Sequence, residues 1–179
     1  MTEKKWKLLF VVPCGKRKIW DIDPYFKGEK VKARSAYKGG LSSSAIACAQ
    51  TFEHLGHPFL ILSTKYGFLD PDEKIDMYRE EHFIISDKDL LEQAQVLDLS
   101  EIAAILVLAL KEYHEKVHFA FQHSDIPIGH LWRHCPSRGD IMRYNKTLKE
   151  RGLTILQNHK EDRYYLINNF EEIFFPDQS

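Results

Sequence analysis

Lys7-Leu8-Leu9-Phe10-Val11-Val12-Pro13-Cys14-Gly15-Lys16-Arg17-Lys18 is the stretch that decides the fold. Residues 7–12 form a short apolar run, rich in β-branched and aromatic side chains, without polar alternation. Such a run reads as a strand covered on both faces, the kind found in parallel sheets between helical layers. Pro13 ends it, because proline has no N–H for a central ladder. A glycine and three cations follow almost at once, so charge collects at the strand's carboxyl end.

The rest of the chain repeats the pattern. Ser42 or Ser43 caps a predicted helix to about Leu55, with Ala45, Ile46, Ala49 and Phe52 at helical spacing and Gly56 as its stop. Pro58 to Leu62 reads as a second buried strand, and Ser86 or Asp87 caps a helix to about Leu97. Ala103 to Ala109 reads as a third strand. A helix opens at Gly139-Asp140 and is expected to end at Gly152, followed by strands at Leu153–Leu156 and Tyr164–Ile167. Strands alternating with helices predict a three-layer α/β/α fold with a mainly parallel sheet of four or five strands. One domain is expected over residues 1–179, its motifs concentrated in 8–83 and its C-terminal half spanning 84–179.

Composition narrows the function. The 179 residues carry 25 Lys and Arg against 26 Asp and Glu, a net charge of -1. That balance excludes a disordered chain and a protein that coats nucleic acid by charge alone. The charge is uneven, since residues 1–40 hold eleven cations and four acids. No apolar run approaches the ~20 residues of a membrane span, so no membrane partner is expected. Cys14, Cys48 and Cys135 show no Cys-x-x-Cys spacing, which points to a reducing, cytoplasmic compartment.

In parallel α/β folds ligands bind beyond the carboxyl ends of the strands. The two loops to inspect are Pro13–Lys18 and Ser63-Thr64-Lys65-Tyr66-Gly67-Phe68-Leu69-Asp70-Pro71. If the first two strands are neighbours, Lys16, Lys18 and Lys65 share one crevice and need an anion such as phosphate to hold them there. The spacing does not make a Walker A loop. Cys14 reads either as a thiol activated by those cations or as a small buried residue closing a strand. Lys65 reads as a Schiff-base amine or as a plain phosphate clamp. Asp70 is the nearest carboxylate for activating water, and equally a turn residue before Pro71. Tyr66 and Tyr78 suit base stacking or core packing.

Four ordered blocks carry a resemblance. They are Pro13-Cys14-Gly15-x-x-Lys18, Ala33-Arg34-x-x-Tyr37-x-Gly39, Ile61-Leu62-Ser63-x-Lys65-Tyr66-Gly67-x-Leu69-x-Pro71 and Ile75-x-x-Tyr78. Over about residues 8–83 the chain resembles an uncharacterised bacterial and phage family, similar to the YaaA-type peroxide-stress proteins and, more remotely, to uracil-DNA-glycosylase-like folds. The resemblance implies a three-layer α/β/α fold and a site around Cys14, Lys18, Arg34, Tyr37, Ser63, Lys65 and Tyr78. By analogy it implies a nucleotide or base as ligand. The pattern fades after the third strand, where Leu108 to Tyr113 lacks the family's glycines and only Tyr113 corresponds.

A competing signal is His114-Glu115-Lys116-Val117-His118, a His-Glu-x-x-His whose imidazoles share one helix face. His123, Asp125, His130 and His134 lie downstream as further ligands. Lys116 works against a metal, and surface histidines near a helix end are the simpler reading. Trp132, Arg133 and Arg138 belong to an aromatic, basic loop able to reach the crevice mouth.

Together these readings predict a nucleotide- or nucleic-acid-base-handling protein with a basic anion pocket and a glycosidic bond as the candidate point of attack. Lys65, Cys14 and Asp70 are the catalytic candidates. Lys16, Lys18, Arg34, Tyr37, Ser63, Tyr66 and Tyr78 are the substrate-binding ones. No cofactor is predicted. The alternatives are a non-catalytic nucleotide or nucleic-acid binding or stress-response module, and a zinc-dependent hydrolase built on His114 and His118.

Overall fold

Leu8 to Val12 offers no polar face to water, so it has to be sheathed on both sides, and all five residues are buried. The computed structural model describes residues 6–158. In chain order its elements are β1 (Lys7–Pro13), α1 (Ile19–Ile22), β2 (Val31–Lys32), α2 (Ala33–Ala36), α3 (Gly40–Glu53), β3 (Phe59–Ser63), β4 (Gly67–Leu69), β5 (Lys74–Ile75), α4 (Asp87–Gln95), β6 (Ile102–Val107), α5 (Lys111–Ala120), β7 (Ile128–His130), α6 (Leu131–His134) and α7 (Arg138–Asn158).

The main sheet has five strands in the order β4-β3-β1-β6-β7. β3, β1, β6 and β7 run parallel, and β4 is antiparallel to β3 at one edge. β2 and β5 pair as a small antiparallel sheet of their own. Side-chain alternation along β1 builds two cores. Leu8, Phe10 and Val12 pack with Ala45, Ala49 and Phe52 of α3 and with Ile141 and Leu148 of α7. Leu9 and Val11 pack with Leu90 and Ala94 of α4 and with Val117 and Ala120 of α5. Phe10 stacks on Phe52 at a centroid distance of 4.7 Å, a pair worth about 0.5–1.5 kcal/mol beyond its burial. The α/β architecture is the expected one, with helices α3 and α7 on one face and α4 and α5 on the other.

Three expectations are corrected. α3 begins at Gly40, with Gly39 as a cap that supplies no side chain, ahead of the predicted Ser42 or Ser43. α7 runs on through Gly152, and Leu153–Leu156 is helical rather than a strand. One glycine costs a helix only about 1 kcal/mol, and a four-residue apolar run does not distinguish helix from strand. The strand expected at Tyr164–Ile167 lies outside the described residues. β4 was unread. It returns from β3 through Thr64-Lys65-Tyr66 and enters at Gly67, whose φ of +77° favours glycine. The Gln93 side chain clamps this hairpin, accepting from Phe68 N at 2.8 Å and donating to Tyr66 O at 2.9 Å. No helix among the described residues is long and apolar enough to cross a membrane.

His57 ties the chain entering β3 to the start of β1. Its Nδ1 accepts the Leu8 N–H at 3.0 Å while the ring is buried. Burial, reinforced by the Lys7 charge, lowers its pKa from 6.5 to about 4. The unfolded chain therefore binds a proton that the folded chain refuses. This contribution is complete above pH 6.5 and is lost as pH falls toward 4, and it is worth at most about 3 kcal/mol. His57→Asn keeps an acceptor for Leu8 N–H without the titration. Urea unfolding at pH 7.5, 6, 5 and 4.5 is expected to show the wild type losing stability faster than this variant below pH 6.5.

Candidate functional site

β1 has a neighbour on each side, reached by crossovers on opposite faces, so the loops leaving β1 and β6 diverge and open a crevice. A cavity of about 550 Å³ lies there. Its lining includes Cys14, Gly15, Lys16 and Arg17 after β1, Thr64 after β3, and Leu110, Glu112 and Tyr113 after β6. α3 contributes Gly39 to Ser42, and α7 contributes Arg138 and Met142. Three helices thus begin at one hollow. A helix start presents backbone N–H groups and the positive end of a dipole, although at α7 Ser137 Oγ already accepts the Asp140 N–H at 3.1 Å. Glu80, Glu81 and His82 close another side, from the irregular segment between β5 and α4.

The two predicted loops meet. Cys14 N donates to Leu62 O at 3.1 Å, and Cys14 Sγ lies 4.0 Å from Thr64 Oγ1. Gly15 sits against the start of α3 so closely that a Cβ there would come within 2.5 Å of Ser42 Oγ and 3.3 Å of Gly39 N. Cys14 is 8 % exposed, with its sulfur 3.3 Å from the Tyr113 hydroxyl. That hydroxyl also donates to Cys14 O at 3.3 Å. Burial, then the proximity of Cys14, pushes the Tyr113 phenol up and keeps it protonated.

The hollow is not uniformly basic. Lys16 crosses it to Glu81 at 2.9 Å, both groups being about half exposed. Arg17 and Arg138 are exposed on its rim. Glu80 is partly buried, and Thr64 Oγ1 holds its carbonyl at 3.0 Å. Its carboxyl lies below the usual carboxylate range. Its own backbone N–H contributes most, partial desolvation opposes, and Lys65, the Arg79 N–H and Lys18 assist.

The remaining predicted residues divide. Lys18 is 2 % exposed, behind the cavity wall rather than on it, donating to Lys16 O at 3.2 Å with its ammonium 4.4 Å above the Tyr78 ring. Tyr37, Tyr78 and Ser63 form a buried hydroxyl chain, 2.6 Å between the two phenols and 3.0 Å from Tyr78 to Ser63. Ser63 Oγ accepts the N–H groups of Lys65 and Tyr66 at 3.2 Å each, which leaves it to donate to Tyr78. Burial pushes both phenols up.

Lys65 is not on the cavity lining. Its ammonium lies 5.2 Å from the Tyr66 ring and 5.7 Å from the Tyr78 ring, the ring Lys18 also covers, and the residue lines a separate depression with Ile84, Gln93 and Val96. Tyr66 reaches Asp76 O at 3.5 Å. Asp70 is exposed in a turn, accepting Asp72 N at 2.8 Å, away from the cavity lining. Arg34 is held by both oxygens of Glu53 at 2.9 Å and by Asp72 at 2.9 Å, so its charge is already matched.

In the histidine cluster, His114 is buried and His118 exposed, their rings 4.6 Å apart, with Trp132 5.9 Å from His114. Glu115 pairs with Lys111 at 3.5 Å, and Lys116 with Asp87 at 2.7 Å. Among the described residues no group of three or more His, Cys, Asp or Glu is placed to hold a metal ion. The side chains of His130, Arg133 and His134 lie outside the described residues.

Of the lining residues, Glu80 and Gly40 are absent from the sequence candidates, Thr64 and Gly39 stand there only within the second loop and a motif block, and Tyr113 and Arg138 only at the margins. Looking just past the third strand, as past the first two, picks out Glu112 and Tyr113 directly. Glu80 carries no such signal.

The uncharacterized protein YfjM of Bacillus subtilis (strain 168) is 33% identical over 113 residues, covering 60% of this chain and 72% of that protein. The chain belongs to the same family. No family model matches it, and no solved structure does.

Gly15 has no room for a side chain. Gly15→Ala is expected to cost about 1–3 kcal/mol through overpacking. Removing the obstructing hydroxyl in Gly15→Ala/Ser42→Ala should recover most of that loss, as measured by a double-mutant cycle of thermal unfolding.

Proposed function

We propose that the chain is a nucleotide- or nucleic-acid-base-handling protein whose ligand occupies the cavity beside Cys14. The observation that carries this reading is the convergence of three helix starts with Lys16, Arg17 and Arg138 on one hollow at the diverging carboxyl ends of β1 and β6. Backbone N–H groups and cations so arranged suit a phosphate. A hollow of about 550 Å³ accommodates a ligand of mononucleotide size. Leu110, Tyr113 and Met142 supply apolar and aromatic surface for a base in the same hollow.

A glycosidic bond stays the candidate point of attack, although Asp70, exposed in its turn, is not on the cavity lining. Cys14 and Thr64 line the hollow, their side chains 4.0 Å apart. The histidine pair of α5 plays no part in this reading.

Titration calorimetry with the four ribonucleoside 5′-monophosphates and their nucleosides tests it. Monophosphates are expected to bind, with nucleosides at least roughly tenfold weaker, and Lys16→Ala/Arg17→Ala should weaken the monophosphates by roughly tenfold. Chromatography of the same mixtures reads free base. Release of base marks an enzyme, and binding without release marks a binding module. No binding at millimolar concentrations, or binding indifferent to the two cations, sinks the proposal.

A further inference from the structure

The cavity has one sign of charge on each side, and this bears on which base enters. Lys16, Arg17 and Arg138 line it from the β1 loop and the α7 start, while Glu80, Glu81 and Glu112 line it from the irregular segment and the α5 start. The three carboxylates are not equivalent. Glu81 is matched by Lys16. Glu112 is exposed. Glu80 is partly buried and, among the described residues, has no ion-pair partner at salt-bridge distance. Its Oε2 accepts the Arg79 N–H at 3.1 Å, its own backbone N–H also reaches the carboxyl, and Thr64 fixes its backbone.

An ionised carboxylate accepts hydrogen bonds and donates none. In a partly desolvated site it therefore favours a base edge made of donors and disfavours one made of acceptors. Guanine presents adjacent N1–H and N2–H donors, spaced to meet both oxygens of one carboxylate. Adenine and cytosine present one amino group beside an acceptor nitrogen. Uracil presents a single N–H between two carbonyl oxygens, each of which repels the carboxylate.

We infer that Glu80 is a specificity-determining residue that selects guanine, bound through its N1–H and N2–H edge, over the other bases. The inference rests on the nucleotide reading above and narrows its ligand to a guanine nucleotide or a guanine residue in nucleic acid.

Affinities of GMP, IMP, AMP, CMP and UMP, measured by calorimetry at one salt concentration, test it. GMP is expected to bind roughly ten- to a hundredfold more tightly than UMP, with IMP, which lacks the 2-amino group, in between. Glu80→Gln should reduce the GMP-to-UMP ratio to within about threefold, while Asp70→Asn, outside the cavity, leaves it unchanged. Circular dichroism and thermal unfolding establish that both variants are folded, and Glu80→Ala is the second variant should Glu80→Gln fail that check. Equal affinities across the panel, a preference for UMP, or a GMP preference that survives loss of the carboxylate each overturns the inference while leaving nucleotide binding in place. Failure of every nucleotide to bind overturns both.

Discussion

The structure depends on β1 being apolar on both faces. A strand with no polar side cannot lie at an edge or on a solvated face, so it takes the centre, between β3 and β6, with helices above and below. Centrality has a geometric consequence. Crossovers leave β1 on one face and return to its other neighbour on the opposite face, so among the described residues no crossover helix lies across its carboxyl end. Pro13 stops the ladder there, and Gly15 lets the emerging chain touch the backbone of α3. The hollow results from how the core is packed, and the charged residues are arranged around it afterwards.

Behind that hollow stands a buried polar layer. Lys18, Tyr37, Tyr78 and Ser63 are each at most 5 % exposed, and groups so deep are costly unless their hydrogen bonds are made. Ser63 anchors the layer by accepting two backbone N–H groups from the tight turn after β3. The rigid turn then sets where Thr64 stands, and Thr64 holds the segment carrying Glu80, both through its hydroxyl and through its carbonyl, which accepts Ile84 N at 2.9 Å and Ile85 N at 3.2 Å. Phe83, from the same segment, meets Tyr113 edge-on at 5.1 Å. The acidic wall of the cavity is therefore positioned through the Ser63 turn, although Ser63 does not line the cavity.

Much of this was legible in the sequence, in proportion to how local the cause is. The β1 run, the Ser86 cap and the convergence of the two loops follow from patterns a few residues long. What was not legible depends on partners far along the chain. Arg34 entered as a phosphate candidate through the motif resemblance, yet Glu53 of α3 meets it bidentately across the fold. Lys65 looked like a neighbour of Lys16, but a side chain's direction in a tight turn is set by the turn, and it points over Tyr66. Asp70 drew attention by closeness in sequence, while Glu80 reaches the cavity through an irregular path with no periodicity to announce it. Gly152 suggested a boundary that α7 crosses.

The outer strands of the main sheet, β4 and β7, are three residues each. Exposed main-chain edges are where one folded molecule can recruit another by ladder formation. A visiting strand would find only a few free backbone groups on either flank before β4 meets the Gly67 bend or β7 gives way to α6. Among the described residues, a sheet with a seven-residue centre and stub ends keeps its longest apolar strand laddered on both sides and so sheltered from a visiting one.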